Sequence, residues 1–258
     1  MISIRSEREI DLLRQANQIV AAAHKKVAEL IAPGITTEEL DRAVENLILD
    51  AGATPAFKGY HGYPASICVS IDEEVVHGIP SKRKLAAGQL VSVDIGACYK
   101  GYYGDAALTH ACGSVDETRL RLLDITDLAL SRAIRVTKAG NYLNDIGIIV
   151  EQTAVDAGFS VVRNYVGHGI GVEMHEDPQI FNFDAGEPGP RLEEGMVLAI
   201  EPMVNAGTFQ VRVKPDNWTV VTKDGQPSAH FEHTVVVRKD GAEILSYCDG
   251  PIWGVRTD

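Results

Sequence analysis

Asp94 and Asp105 stand on either side of a short polar turn, a spacing that brings two carboxylates to one face of a hairpin. From Leu90 to Ile95 the residues alternate, with Val91, Val93 and Ile95 on one side and Ser92 and Asp94 on the other. Tyr99, Lys100 and Gly101 supply the turn, and the returning strand carries Asp105. A turn centred between Tyr99 and Lys100 sets Asp94 opposite Asp105. One centred a residue later makes them diagonal neighbours, and both registers aim the carboxylates the same way. Two bare carboxylates held close repel, and one takes up a proton unless a cation lies between them. An isolated pair of this kind more often sits solvated on an exposed sheet face. Further acids shift that balance. Glu201 occupies an otherwise apolar stretch in which Ala199, Glu201 and Met203 alternate with Ile200 and Pro202, and the segment from Ala229 to Val237 holds His230, Glu232 and Thr234 on one side. Buried acids without partners are costly, so a shared metal site is the economical explanation.

Between these segments lie Gly167, His168, Gly169, Ile170 and Gly171, followed by His175, Glu176, Asp177 and Pro178. The glycines allow close backbone approach to a ligand. A phosphate-binding loop is the competing idea, but there is no Walker lysine, and Pro178 with a polar run to Gly189 follows where a helix should begin. Lone histidines are usually structural. With the acids beside them, His168 reads as a metal ligand and His175 as a second polar catalytic group. His77, Gly78, Ile79 and Pro80 echo this loop earlier in the chain. Four carboxylates and one imidazole balance two divalent cations, and such oxygen-rich ligation suits manganese, iron, cobalt or zinc better than copper.

The elements that must position these groups occur twice. Ser6 and Glu9 form a capping box before an apolar stripe of Ile10, Leu13, Ile19, Val20, Val27 and Leu30, and Pro33 and Gly34 stop that helix. Thr36 and Glu39 repeat the box ahead of Leu40, Val44, Leu47 and Ile48, with Gly52 at the end. Ser114 and Glu117 suggest a third box, opening a helix that runs toward Lys138. A fourth helix ends at Gly158. Gly34 and Gly52 are spaced as Gly140 and Gly158 are, and Leu85, Gly88 and Asp94 are spaced as Leu192, Gly195 and Glu201 are. A repeat this long marks a duplicated half-domain rather than a solenoid. The expected fold is α+β with pseudo-two-fold symmetry, a curved antiparallel sheet backed by four helices on one face and the site on the other. One catalytic domain over 1–258 is expected, with halves of about 1–112 and 113–258.

The 258 residues can bury a substantial core. With 45% apolar and 23% charged residues the chain is globular in composition. A net charge of −12 argues against nucleic acid or an anionic membrane as partner. Arg5, Glu7, Arg8 and Glu9 precede any apolar run of signal-peptide length, and no segment reaches the roughly 20 apolar residues of a membrane span. A cytoplasmic location is therefore expected. Cys68, Cys98, Cys112 and Cys248 lack any Cys-x-x-Cys pair, so reduced thiols are expected rather than a zinc knot.

The segments GYHGYP (Gly59 to Pro64), EVVHGIP (Glu74 to Pro80), VSVDIG (Val91 to Gly96), YGDA (Tyr103 to Ala106), GHGIG (Gly167 to Gly171), HEDP (His175 to Pro178), EPM (Glu201 to Met203) and FEHT (Phe231 to Thr234) occur in this order. Together they resemble the methionine aminopeptidases of the pita-bread fold across nearly the whole chain. The resemblance is to the type I, bacterial form, because no cysteine-rich segment precedes the motifs and the interval from Glu201 to Glu232 is short. It implies excision of the initiator methionine from nascent chains with a small second residue. The implied enzyme is a monomer whose contact with the ribosome is at most transient. The implied roles make Asp94 a ligand of one metal, Asp105 and Glu232 bridging ligands, and His168 and Glu201 ligands of the other. Glu201 doubles as general base for a water that attacks the peptide carbonyl. His175 stabilises the oxyanion, and His77 contacts the scissile amide nitrogen. Phe57, Tyr60, Tyr63, Cys68 and Trp218 match pocket positions. Phe57 stands where many relatives have Cys, and Met174 where Phe is frequent, which alters pocket shape but not the metal chemistry. Asp72 and Ser228 lie where some relatives hold a monovalent cation. The alternatives within the fold are cleavage of X-Pro peptides, as an aminopeptidase or dipeptidase, and metal-free peptide binding.

Overall fold

Two capping boxes anchor the first helical pair. In α1 (Glu7–Leu30) and α2 (Thr37–Asp50) the Ser6 and Thr36 side chains accept from the Glu9 and Glu39 amides while those glutamates reach back to the cap. The structure, a computed structural model, describes residues 2–247. Cys248 lies outside them. The expected third box is corrected: α3 (Glu117–Val136) starts from Asp116, whose carboxylate accepts from the Arg119 amide at 2.9 Å, not from Ser114. Asp116 also forms an ion pair with the Arg119 guanidinium. The last helix, α4 (Asn144–Asp156), has no side-chain cap.

The strands that carry the site are β1 (Ile67–Ile71), β2 (Gln89–Tyr99), β3 (Tyr102–Cys112), β4 (Gly167–Gly169), β5 (Glu176–Ile180), β6 (Val197–Ile200), β7 (Met203–Asn205), β8 (Ser228–His230) and β9 (His233–Val237). Antiparallel β2 lies between β1 and β3. A second sheet runs Ala242–Ile244, β9, β6, β4, β5. β7 pairs β8 on one side and Ser160–Val161 on the other. The expected four helices and antiparallel strands are present, the strands falling among the described residues into separately paired segments.

The duplication is visible in the backbone. Gly34 and Gly140 have φ of 101° and 98°, and Gly88 and Gly195 both have 91°. Gly34 donates to the Leu85 carbonyl at 2.8 Å, as Gly140 does to Leu192 at 2.9 Å. Bridges Thr36↔Lys84 and Tyr142↔Arg191 sit at matching places. Each half clamps its helix-to-helix turn to its own sheet by the same left-handed glycine, a conformation that disfavours a side chain.

Two breaks in the strands matter for the site. Glu201 was expected inside one strand, and Glu232 inside another. Instead β6 stops at Ile200 and β7 starts at Met203, while β8 stops at His230 and β9 starts at His233. Pro202 has no amide hydrogen, so the ladder cannot run through it. The Phe231 amide turns to the Pro202 carbonyl at 3.3 Å, and the Glu232 amide crosses to Ala107 of β3 at 2.9 Å. Glu201 and Glu232 therefore sit at facing interruptions where two sheets meet.

Helix α1 lies close against β3. A Cβ on Gly104 would come within 2.7 Å of the Ala16 carbonyl carbon and the Asn17 nitrogen. The missing side chain lets buried Asn17 accept from the Asp105 amide at 3.3 Å, which ties the helix to the backbone of the acid itself. Thr234 of β9 donates to the Asp105 carbonyl at 2.8 Å. Among the described residues no helix is long and apolar enough to cross a membrane.

Candidate metal centre and substrate pocket

The hairpin register places Asp94 opposite Ala107 and Asp105 opposite Gly96. The two acids are diagonal neighbours, the second of the two registers compatible with the turn. One cavity of about 400 Å³ is lined by Asp94, Asp105, His168, Glu201 and Glu232. His77, His175, Phe57, Tyr60, Tyr63, Cys68 and Trp218 line the same cavity. Every residue expected at the site thus lies along one space.

Single ligand atoms of Asp105, His168 and Glu232 fall within 4.8 Å of one another, and all three residues are buried. Glu201 joins through His168 Nε2, 3.5 Å from its Oε1, and Asp105 Oδ2 is 3.8 Å from the same nitrogen. His168 Nδ1 lies 2.9 Å from the Gly169 carbonyl. A carbonyl can only accept, so Nδ1 carries the hydrogen and Nε2 turns its lone pair toward the carboxylates. Burial pushes the imidazole down to about 3, which keeps it neutral and able to ligate.

The acids strain in the opposite sense. Burial raises Asp94 to about 7 and Glu201 to about 8. Asp105 rises well above the usual range through burial and then through the charges of Asp94 and Glu201, and Glu232 does so through burial and then through those of Asp105, Glu201 and Asp94. Asp94 Oδ1, Asp105 Oδ1 and Glu232 Oε1 are buried without a hydrogen-bond partner. Orphaned carboxylate oxygens beside an unprotonated imidazole nitrogen are the donor set of hard or borderline divalent cations, so these residues fit a metal centre.

This predicts metal uptake coupled to proton release. A folded-state pKa raised by burial favours the metal-free fold at low pH and costs it stability as pH rises through 7 and 8. Cation binding requires the ionised forms, so it should expel about one or more protons at pH 7 and tighten up to about pH 8. Calorimetric titration with manganese in buffers of different ionisation enthalpy measures the release. A pH-independent affinity would contradict this account of the carboxylates.

The remaining groups ring the centre. His77 has φ 60°, and its ring stands edge-on to Tyr165 and Trp218 with centroids 5.6 and 6.2 Å away. A Cβ on Gly78 would overlap the Val69 carbonyl oxygen, so only glycine lets the chain pass there. The Tyr63 hydroxyl donates to the Gly78 carbonyl at 2.9 Å. Burial lowers His77 to about 4, so it is neutral at pH 7. The His175 ring lies against that of His168, centroids 4.3 Å apart and tilted by 58°, and its Nδ1 lies 2.8 Å from the Tyr60 hydroxyl. Ala56, Phe57, Tyr63, Ala65, Cys68 and Met174 form a small apolar cluster, with Tyr60 and Trp218 against it. This apolar, polarisable wall next to the acids suits an unbranched thioether.

Several contributors escaped the sequence reading. Buried His230 sets Nε2 3.5 Å from Glu201 Oε2, and its position two residues before Glu232 was the available signal. Asn182 donates to the Glu201 carbonyl at 3.0 Å. Asn17 had a signal too, a polar residue on the apolar side of α1. At Asp72, the carboxylate accepts from the Leu90 amide at 3.1 Å and from Arg119 Nε at 3.2 Å, and its carbonyl accepts from the Ser228 amide at 2.8 Å.

Residues 11–239 match the model of metallopeptidase family M24. The chain is 47% identical to methionine aminopeptidase 1 of Bacillus subtilis, over 95% of this chain and 99% of that protein. A crystal structure of methionine aminopeptidase from Thermotoga maritima superposes with a TM-score of 0.94 at 46% identity, covering 96% of this chain and all of that one. The prolidase of Pyrococcus furiosus shares the fold with a TM-score of 0.79 at 26% identity, covering 96% of this chain and 66% of that one.

Proposed function

This chain belongs to metallopeptidase family M24, and on that premise we propose that it removes N-terminal methionine from nascent proteins whose second residue is small. The observation that carries the reading is the convergence of four carboxylates and one imidazole at one end of an apolar, sulfur-containing pocket. Asp94, Asp105, His168, Glu201 and Glu232 would hold two divalent cations. When bound, such ions polarise a carbonyl and lower the pKa of water.

The protein's own groups complete the chemistry. Glu201, whose two oxygens face His168 and His230, takes a proton from the attacking water and passes it to the leaving amine. In the tautomer in which His175 Nδ1 accepts from the Tyr60 hydroxyl 2.8 Å away, Nε2 carries the hydrogen and donates it to the carbonyl oxygen as its charge grows. Neutral His77, beside Trp218, meets the scissile amide. Phe57, Tyr60, Tyr63, Cys68, Met174 and Trp218 hold the methionine side chain.

The reading extends to cobalt, manganese, iron or zinc as the metal and to residues 1–258 as one catalytic unit. It further takes the enzyme as a cytoplasmic monomer that meets the ribosome only transiently. A monovalent cation near Asp72 and Ser228 completes it, and sodium or potassium dependence of thermal stability is its check. The substrate assignment is tested with Met-Gly-Met-type and X-Pro peptides, supplied with manganese or cobalt under reducing conditions. Methionine should be released from the first and nothing from the second. X-Pro cleavage would move the chain to the proline-specific enzymes, and no cleavage of either would remove the enzyme reading.

A further inference from the structure

The loop that carries Met174 and His175 is tied down from the far end of the chain. Arg5, just ahead of α1, has a side chain only 8% exposed, and its guanidinium pairs with Glu176, the residue after His175. Glu176 uses its other oxygen to accept from the Val172 and Glu173 amides at 2.9 and 3.2 Å, so one carboxylate closes the loop on itself while meeting the arginine. A Cβ on Gly171 would overlap the guanidinium, so glycine at that position makes the room Arg5 occupies. The backbone of Arg5 is fixed in turn, its amide donating to Gly195 at 2.9 Å, and its second nitrogen lies 3.7 Å from Glu9 of the α1 capping box. Val172, Glu173 and His175 are themselves exposed. Besides this clamp, the loop is held by Met174, 2% exposed in the apolar cluster with Phe57, Tyr63 and Cys68, and by the contacts of His175 with Tyr60 and His168.

We propose that Arg5 is a positioning residue for catalysis, clamping the Val172–Glu176 loop through Glu176 so that His175 meets the reacting carbonyl and Met174 stays in the apolar cluster that backs the pocket. Arg5 touches no substrate and lines no part of the cavity. Its effect passes through loop geometry, where a displacement of about 1 Å can cost about 100-fold in rate. The proposal rests on the aminopeptidase reading for its kinetic consequence, but the clamp itself is measurable without turnover.

The test compares wild type, Arg5→Met, Arg5→Lys and Glu176→Gln. In Arg5→Met, hydrogen exchange at the Val172 and Glu173 amides should accelerate while manganese stoichiometry is unchanged. Its kcat on a Met-Gly-Met peptide should fall roughly 10- to 100-fold. Arg5→Lys, which keeps the charge, should recover part of the rate. Glu176→Gln, which keeps an acceptor oxygen but not the charge, should repeat the loss and serves if Arg5→Met does not fold. Adding Arg5→Met to His175→Ala should cost little more than His175→Ala alone. Unchanged exchange and kcat in Arg5→Met, or losses that multiply in the double variant, would overturn the proposal. A wild type that is inactive on the peptide counts against the proposed function, and amide exchange then still decides the clamp.

Discussion

Glu201→Gln is expected to lower kcat on a methionyl peptide by roughly 10³- to 10⁴-fold, the upper range for loss of a general base. The substitution is nearly isosteric, so the backbone held by Asn182 should stay in place. What disappears is the capacity to take a proton and the charge toward the metal. The two carboxylate oxygens face different histidines, His168 and His230, each at 3.5 Å. An amide keeps an oxygen on one side only, and the NH2 on the other has no lone pair to offer a cation. His77→Ala removes a neutral ring at the pocket wall and leaves all five proposed ligands intact, so it should retain at least about tenfold more activity than Glu201→Gln. Steady-state kinetics on the same peptide with saturating manganese separate the two. Equal residual rates would show that Glu201 is not both ligand and base.

Replacing Asp105 by Asn should move metal binding and stability in opposite directions. Asp105 is 4% exposed, and burial followed by the charges of Asp94 and Glu201 raises its carboxyl well above the usual range. An amide there removes one ligand charge, and manganese affinity should fall more than about 100-fold, beyond what an outer-sphere partner contributes. The metal-free variant should nonetheless melt about 2–4 °C above the metal-free wild type, a gain of about 1 kcal/mol from relieved repulsion. That gain should grow from pH 6 to pH 8, because the wild-type acids are forced toward ionisation over the range in which Asp94 and Glu201 titrate. Calorimetry on both proteins with and without manganese reads both quantities. A metal-free Asp105→Asn that melts well below the metal-free wild type would mean that Asp105 serves the fold rather than the centre.

Local signals in the chain were legible where the governing physics is local. The boxes Ser6–Glu9 and Thr36–Glu39 are satisfied within four residues, so they could be read directly, and the hairpin turn limited Asp94 and Asp105 to two registers. The third helix start was misread because Ser114 and Asp116 are both good caps, and the Arg119 guanidinium favours the second. Alternation suggested that Glu201 and Glu232 lie within strands, and the prediction failed at Pro202, where the missing amide ends one ladder and the chain crosses to another sheet. Arg5 and Glu176, and Asn17 and Asp105, meet across most or much of the sequence, and no window of residues encodes such pairs. The five residues that line the cavity as candidate ligands could be singled out because buried acids without partners call for a cation. The groups that hold them at the required angle could not.

The most direct measurement is metal analysis joined to the peptide assay. Chelator-stripped protein is titrated with manganese or cobalt, and bound metal and methionine release are followed together under reducing conditions. The account predicts no release from stripped protein, activity that rises with occupancy, and up to two metal ions per chain, with both binding and activity lost when Asp105 is replaced. Full methionine release from metal-free protein, or stoichiometric metal binding without any release, would contradict it.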